Sequence, residues 1–449
     1  MKISEENSQI QKGIKEFSQD ESKKQNIDNN KHIITETSQI KDIFRKRDRY
    51  NEMFSKKIKM IFIIIYLVII ISAETIYRDY LFKKSIPIQE SFQNNGNNII
   101  LLKILKIISL FGAEISTLFV FAIIFLFMPL NYSFLILQTI VYSSYFTNTL
   151  KMIYQADRPN WHSDYLTFSC NYGYGNPSGH SFTSISLYLS LAHLLVNYFK
   201  IKNICKIILI FLFFILLILL IIISRVFLAA HSINQVLYGF SLGLGLYYIL
   251  IYAIGYHKYS SVNFLQHIRT KKFNYIYYFL NIFLLILTIL IYLITKEKDT
   301  KEIEENIFNG VRCKIPKSYK KYKNDGLFQS LSITSLIGAQ FGINILFKVL
   351  KQNNYLISVA IIEWNKSKKI KKFFLRFLII AISSFGIILY YIIPTNLPLL
   401  FIFILKSGLP FFLGMFGVHF IGIYLCIYFK ISNSEIYKMD VLHEITASA

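Results

Sequence analysis

The 449 residues are 54% apolar or aromatic and only 17% charged, against roughly 25% charged in an ordinary soluble domain, which excludes a soluble globular protein. Lys and Arg number 49 against 26 Asp and Glu, a surplus of +23. The basic residues cluster at the ends of apolar blocks, as Arg45, Lys46, Arg47, Arg49 and Lys56, Lys57, Lys59 do, so they read as anchors against anionic lipid and not as a nucleic-acid surface.

In chain order, residues 1–59 are polar with mixed charge and no apolar run of signal-peptide length, and are expected to form a disordered cytosolic tail. Apolar blocks of about 18 to 25 residues then follow, the length that crosses a bilayer as helix. They predict an all-α, polytopic membrane helical bundle of ten spans, near 60–77, 109–130, 132–150, 180–199, 207–224, 231–255, 275–295, 327–350, 373–393 and 405–429. The expected organisation is a first span and loop at 60–98, a catalytic membrane core at 99–260, further spans at 261–430 and a cytosolic tail at 431–449. Residues 99–109 carry Lys103 and Lys106 on an otherwise apolar segment and suit an interfacial helix. Pro394, Pro398 and Pro410 predict a broken helix near the end of the bundle.

A cytosolic N-terminus puts the basic segments 200–206, 256–274 and 351–372 on the same side, in keeping with the positive-inside bias. The loop 296–326 falls opposite although it holds nine Lys or Arg. The sequons at Asn131 and Asn365 both fall on the cytosolic side and are expected to stay unmodified. Four cysteines lie far apart without a C-x-x-C pair, so neither a zinc site nor a redox motif is indicated. Cys170 and Cys313 share the non-cytosolic side, and a disulfide between them is compatible with that topology.

Three polar clusters interrupt the apolar pattern, all on the non-cytosolic face of this topology. The first runs from Lys151 through Arg158 to Pro159 and closes the third span. If the helix persists, two cations seven residues apart point the same way, towards an anion. The second is Asn176-Pro177-Ser178-Gly179-His180, where Ser178 can cap the fourth span and its first N–H groups can hold a phosphate. The third runs from Ser224 and Arg225 to His231 and Gln235, with Gln235 one helical turn from the imidazole it can orient. Taken singly, each has a plainer reading: snorkelling cations, a capped helix with an incidental His, a capped turn. Together they supply three cations, helix-start N–H groups and two imidazoles, the parts that phosphoryl transfer needs. No carboxylate cluster accompanies them, so metal-free chemistry without a cofactor is expected.

At these residues the chain resembles the type 2 phosphatidic acid phosphatase superfamily, whose signatures read K-x6-R-P, P-S-G-H and S-R-x5-H-x3-D. Lys151 to Pro159, Pro177 to His180 and Ser224 to His231 match them in order and spacing, over roughly residues 100–260. The resemblance implies a helical-bundle core, His231 as a nucleophile forming a phosphohistidine, and His180 as the acid for the departing alcohol. It also implies that Lys151, Arg158, Arg225, Ser178 and Gly179 bind the phosphate. Gln235 stands where the family usually has Asp, so it can orient His231 but not stabilise its charged form; members resembling glucose-6-phosphatase also carry Gln there.

The expected substrate is a membrane lipid phosphate monoester, by similarity to the lipid branch around Tyr172 to Asn176 and to sphingosine-1-phosphate phosphatases around Glu114 and Ser224 to Ser232. The alternatives are a glucose-6-phosphatase-like sugar phosphatase, which the four spans after the core and the non-cytosolic Cys170 and Cys313 also resemble, and an inactive lipid-binding member. The resemblance places the site on the luminal face of the endoplasmic reticulum. A transporter is disfavoured for want of repeats. Glu114 is expected to support the core through a buried hydrogen bond. Glu74 reads as a boundary residue, Lys406 as snorkelling and Trp161 as an interface anchor, and His162, His193, His257, His267 and His419 are assigned no chemistry.

Overall fold

The computed structural model describes residues 58–94, 98–163, 166, 173–255, 258, 264, 267–295, 325–350, 370–394 and 401–429, and every regular element among them is helical. The expected N-terminal tail up to residue 57, the C-terminal tail, most of loop 296–326, Cys170, Cys313, His257 and the Asn365 sequon lie outside the described residues. Cys205 and Cys426 are free thiols. The chain divides into residues 1–65, of which 58–65 are described and helical, and residues 66–449.

The helices are α1 (Ile58–Asn94), α2 (Ile99–Leu110), α3 (Glu114–Phe127), α4 (Leu130–Tyr154), α5 (Gly179–Tyr198), α6 (Ile204–Phe227) and α7 (Ile233–Tyr248, running on as a π turn to Ile254). They continue with α8 (Lys271–Thr295), α9 (Asp325–Ser330), α10 (Ile333–Leu350), α11 (Ile370–Ser383), α12 (Leu389–Ile392), α13 (Leu409–Phe416) and α14 (Ile423–Tyr428). Among the described residues seven helices are long and apolar enough to cross a membrane, and an eighth if α2 and α3, bent by 44° at their break, count as one span. This is an integral membrane protein.

Each of the ten expected blocks has a helical counterpart. The two outside the apolar set are α4 and α5, and the reason is burial: Phe134, Leu135 and Ile136 on α4 are fully enclosed, so α4 meets protein on all sides. It can therefore carry Asn131, Gln138, Ser143 and Asn148 where a lipid-facing helix could not. Tyr142 Oη donates to Asn281 Oδ1 at 3.3 Å and Tyr145 Oη to the Leu284 carbonyl at 2.8 Å, which ties α4 to α8. Asn131 of the first sequon is itself buried.

Several expectations are corrected. The first span does not end at 77. It continues to Asn94 because Ser85, Gln89 and Gln93, four residues apart on one face, find partners on the segment between α6 and α7. Ser85 Oγ accepts from Ile233 N–H at 2.9 Å, and the Gln89 and Gln93 amides donate to the His231 and Phe227 carbonyls, each at 2.9 Å. The second span is broken at 111–113. Lys406 does not snorkel: it is buried, and its ammonium donates to the Tyr390 and Ile393 carbonyls at 3.0 and 2.8 Å, closing the C-terminus of α12 just before Pro394. Trp161 is buried beside Tyr174 and is no interface anchor.

The contact that sets the core's geometry is α5 on α7. Gly239 and Gly243, one turn apart on α7, let the helix backbones approach. A Cβ at Gly239 would lie 2.5 Å from the Ser178 carbonyl, and one at Gly243 would lie 2.7 Å from the Phe182 carbonyl and overlap Ile185. The replacement Gly243→Leu is expected to cost about 1–3 kcal/mol through forced separation of these helices, seen as a lower unfolding midpoint in detergent. An unchanged midpoint would mean that the close approach is not needed.

Candidate active site

The three clusters converge because the chain leaves helical geometry at each of them. Helix α4 ends at Tyr154, with Gln155 in the left-handed region at φ 46° and its N–H on the Lys151 carbonyl. Arg158 is extended and precedes the short 3-10 turn Pro159–Trp161, so the helix does not carry Lys151 and Arg158 on one face. The segment from Gly173 then crosses back: Gly175 N–H donates to the Ala156 carbonyl at 2.7 Å and Ser178 N–H to the Gln235 carbonyl at 2.9 Å. After α6 the backbone turns on itself through Ala229 at φ 54°, and the N–H groups of Ala230 and His231 both reach the Arg225 carbonyl.

A cavity of about 320 Å³ results, lined by Lys151, Arg158, Gly179, His180, Arg225 and His231 among others. Six of the eight site residues expected from the sequence thus meet on one space. Ser178 and Gln235 are not in its lining. Ser178 occupies the N-cap position of α5, but its expected side-chain cap is not formed: Oγ accepts instead from Ser181 Oγ at 3.1 Å. Gln235 closes a capping box with Ser232 at the start of α7, its Oε1 accepting from Ser232 N–H at 3.2 Å while its Nε2 donates to the Asp157 carbonyl at 2.6 Å.

His231 is buried, and its two ring nitrogens have different surroundings. Nδ1 lies 2.9 Å from the Gly175 carbonyl and 3.3 Å from Gln235 Oε1, both acceptors, so Nδ1 carries the proton. Nε2 is then the nitrogen with the lone pair, 3.3 Å from Arg158 Nη1. The nearer orienting group is therefore a backbone carbonyl, with Gln235 second. Burial, and then the positive charges of Arg158, Arg225 and Lys151, hold this imidazole well below the ordinary histidine range.

Arg158 is also buried and directs three groups onto carbonyls: Nε onto Gly173, Nη1 onto Ala230 at 2.6 Å and Nη2 onto Tyr174 at 3.1 Å. It clamps the 173–175 segment to the 229–231 turn while facing the cavity. Arg225 Nη1 donates to Ser109 Oγ at 2.6 Å, and its Nε has no hydrogen-bond partner among the described residues. An anion in this cavity meets cations whose desolvation the fold has already met. Among the described residues no three His, Cys, Asp or Glu side chains are grouped to hold a metal ion.

Glu74 is a further residue whose expected place is corrected. It is not at a boundary but buried, and its Oε1 accepts from Asn176 Nδ2 at 2.7 Å and Asn234 Nδ2 at 3.1 Å. Ser232 Oγ donates to Asn234 Oδ1 at 2.6 Å, so one carboxylate on α1 joins the loop before α5 to the first turn of α7. The signal available was a lone carboxylate inside an apolar run, which marks a polar partner more often than a boundary. Glu114 lines the cavity at the start of α3.

Residues 131–259 match the model of the PAP2 superfamily, a segment that contains all three clusters. No curated protein and no solved structure matches the chain. A match to this family points to phosphatase activity on phosphate esters.

Replacing Glu74 with Leu is expected to leave the Asn176 and Asn234 amides unpaired in the interior, at about 1–3 kcal/mol each, whereas Glu74→Gln keeps a carbonyl acceptor and is expected to lose less than half as much. Unfolding midpoints in detergent check the order; equal loss in both would remove the acceptor role.

Proposed function

Starting from a PAP2-superfamily domain at residues 131–259, we infer that the protein is a metal-independent membrane phosphatase that hydrolyses a lipid phosphate monoester through a phosphohistidine. The observation that carries the reading is the His231 imidazole, with Nδ1 committed to the Gly175 carbonyl and Nε2 beside Arg158 in a cavity lined by cations.

In this reading the phosphate lies among Lys151, Arg158, Arg225 and the Gly179 N–H at the start of α5. His231 Nε2 attacks phosphorus, the bond to the alcohol oxygen breaks with its electron pair on that oxygen, and His180 delivers the proton that makes the alcohol. Water then attacks the phosphorus of the phosphohistidine, its proton passes to His180, and the P–N bond breaks with its electron pair returning to Nε2 of His231. Positive charge on the imidazole in the intermediate is met by the Gly175 carbonyl and Gln235 Oε1, both of which accept from Nδ1–H. That arrangement supplies orientation without the carboxylate the family usually has, and supports activity with Gln235 in place. Ser178 and Gln235 act as positioning residues.

The lipid reading draws on the cavity wall, where Leu118, Phe121, Ile140 and Phe411 are among the lining residues. Leu118 is also exposed on the flank of α3, among Ile115 and Phe119, so the cavity reaches a surface built for acyl chains. The resemblance to lipid-acting members and the positive-inside bias of the loops support the luminal, endoplasmic-reticulum reading.

Two measurements test this. Phosphate release from phosphatidate or a long-chain-base phosphate, by purified protein in detergent with EDTA, is expected to fall by about a thousandfold or more in His231→Ala, and acid-labile phosphate is expected on His231 in rapid-quench mapping. Activity that survives the replacement would rule out His231 as nucleophile. Because its surroundings keep His231 neutral, the acid limb of kcat/KM, corrected for ionisation of the substrate phosphate, is expected below pH 6.5 and is expected to move up in Arg158→Gln. An acid limb unmoved by that substitution would remove the electrostatic role of Arg158.

A further inference from the structure

The cavity is completed from outside the family domain. Gln329 on α9, Ser332 in the turn that follows and Ser335 in the first turn of α10 all line it, as does Thr147 on α4. The hydroxyls of this stretch fall into two groups. Those directed away from the cavity are back-bonded to the chain: Ser330 Oγ donates to the Gly326 carbonyl at 2.7 Å, and Thr334 Oγ1 lies 2.8 Å from the Leu331 carbonyl and 3.1 Å from that of Gly408. Those that line the cavity are not: Ser332 Oγ and Ser335 Oγ are buried without a hydrogen-bond partner among the described residues, and so is Thr147 Oγ1 in the same lining.

A serine in a helical turn can turn its hydroxyl onto a carbonyl of the preceding turn. Two that do not, side by side and three residues apart, expose donors and acceptors to the same space that holds His180 and His231. Buried polar groups left unpaired by the protein are the device by which a site prefers a substrate that pairs them and rejects the analogue that cannot. Their place in an otherwise mostly apolar wall limits recognition to a few polar points near the phosphate.

We propose that Ser332 and Ser335, with Thr147 in the same lining, are specificity-determining residues that hydrogen-bond the alcohol half of the substrate. The ligand is a phosphate monoester whose alcohol carries free hydroxyl or amino groups close to the ester oxygen, in preference to one whose neighbouring oxygens are acylated. The proposal rests on the phosphatase reading above and refines its substrate. Such an alcohol can come from a long-chain base, which is lipid, or from a sugar, which is not; α9 and α10 recognise the chemistry the two share.

The test uses full-length protein in detergent and compares kcat/KM for a long-chain-base phosphate, glucose 6-phosphate, phosphatidate and dodecyl phosphate, whose alcohol half offers no hydrogen-bonding group. The double variant Ser332→Ala/Ser335→Ala is expected to lose about tenfold or more on whichever hydroxylated substrate the protein prefers, mostly in KM, while dodecyl phosphate changes less than about twofold. Ser330→Ala, on the back-bonded face of the same stretch, is expected to behave as wild type on all four. The preferred hydroxylated substrate identifies the lipid or the sugar source. An equal loss on dodecyl phosphate, no loss on any substrate, or a wild-type protein that favours phosphatidate would each overturn the proposal and leave the phosphatase reading standing. Absence of phosphate release from all four by folded wild-type protein would overturn the phosphatase reading and this inference with it.

Discussion

A neutral imidazole buried among cations is the constraint from which the rest of the site follows. Removing His231 from water disfavours its charged form, and the nearby guanidinium and ammonium groups act in the same direction. What keeps it oriented is the pair of acceptors at Nδ1, the Gly175 carbonyl first and Gln235 Oε1 second, which fix the proton on Nδ1 and leave Nε2 towards the cavity. That carbonyl must be held in place, and Gly175 packs against the Gln235 amide so closely that a Cβ would lie 2.5 Å from its nitrogen. The glycine, the glutamine and the histidine thus form one unit, each position depending on the other two.

Burial of so many cations would be prohibitive if each stood alone. Arg158 meets the cost by giving three of its groups to backbone carbonyls, and in doing so it fastens together the two segments that carry Gly175 and His231. The same guanidinium therefore organises the loops and faces the cavity. Glu74, Ser85, Gln89 and Gln93 extend this framework onto α1, so the loops between helices are held from outside the family domain as well as from within it.

The chain beyond the family domain is consequently part of the site. Helix α1 braces the loops from one side, and α9, α10 and the segments around Ile387 and Phe411 close the cavity from another. Lys406, which caps α12 inside the bundle, shows how the last spans carry a buried cation of their own. The proposed chemistry rests on the core, and the proposed choice of substrate rests on the appended helices.

The ten helical segments and the three clusters were legible in the sequence, because a bilayer demands long apolar runs, and Lys151, Arg158, His180, Arg225 and His231 stand at spacings that match the family signatures, although α4 ends before Arg158 and does not itself bring it beside Lys151. Ser178 was read as a cap and Glu74 as a boundary residue because a side chain's partner is not written in its neighbours. Glu74 meets Asn176 and Asn234 across 102 and 160 residues of chain. The Gly175 carbonyl is equally invisible in the residue types, since every residue has one and only the folded backbone decides where it points. The placement of Ser332 and Ser335 belongs to the same class. Their hydroxyls matter because α9 and α10 pack beside α4, a tertiary contact between segments that share no motif, and the sequence alone carries no record of which helix faces which.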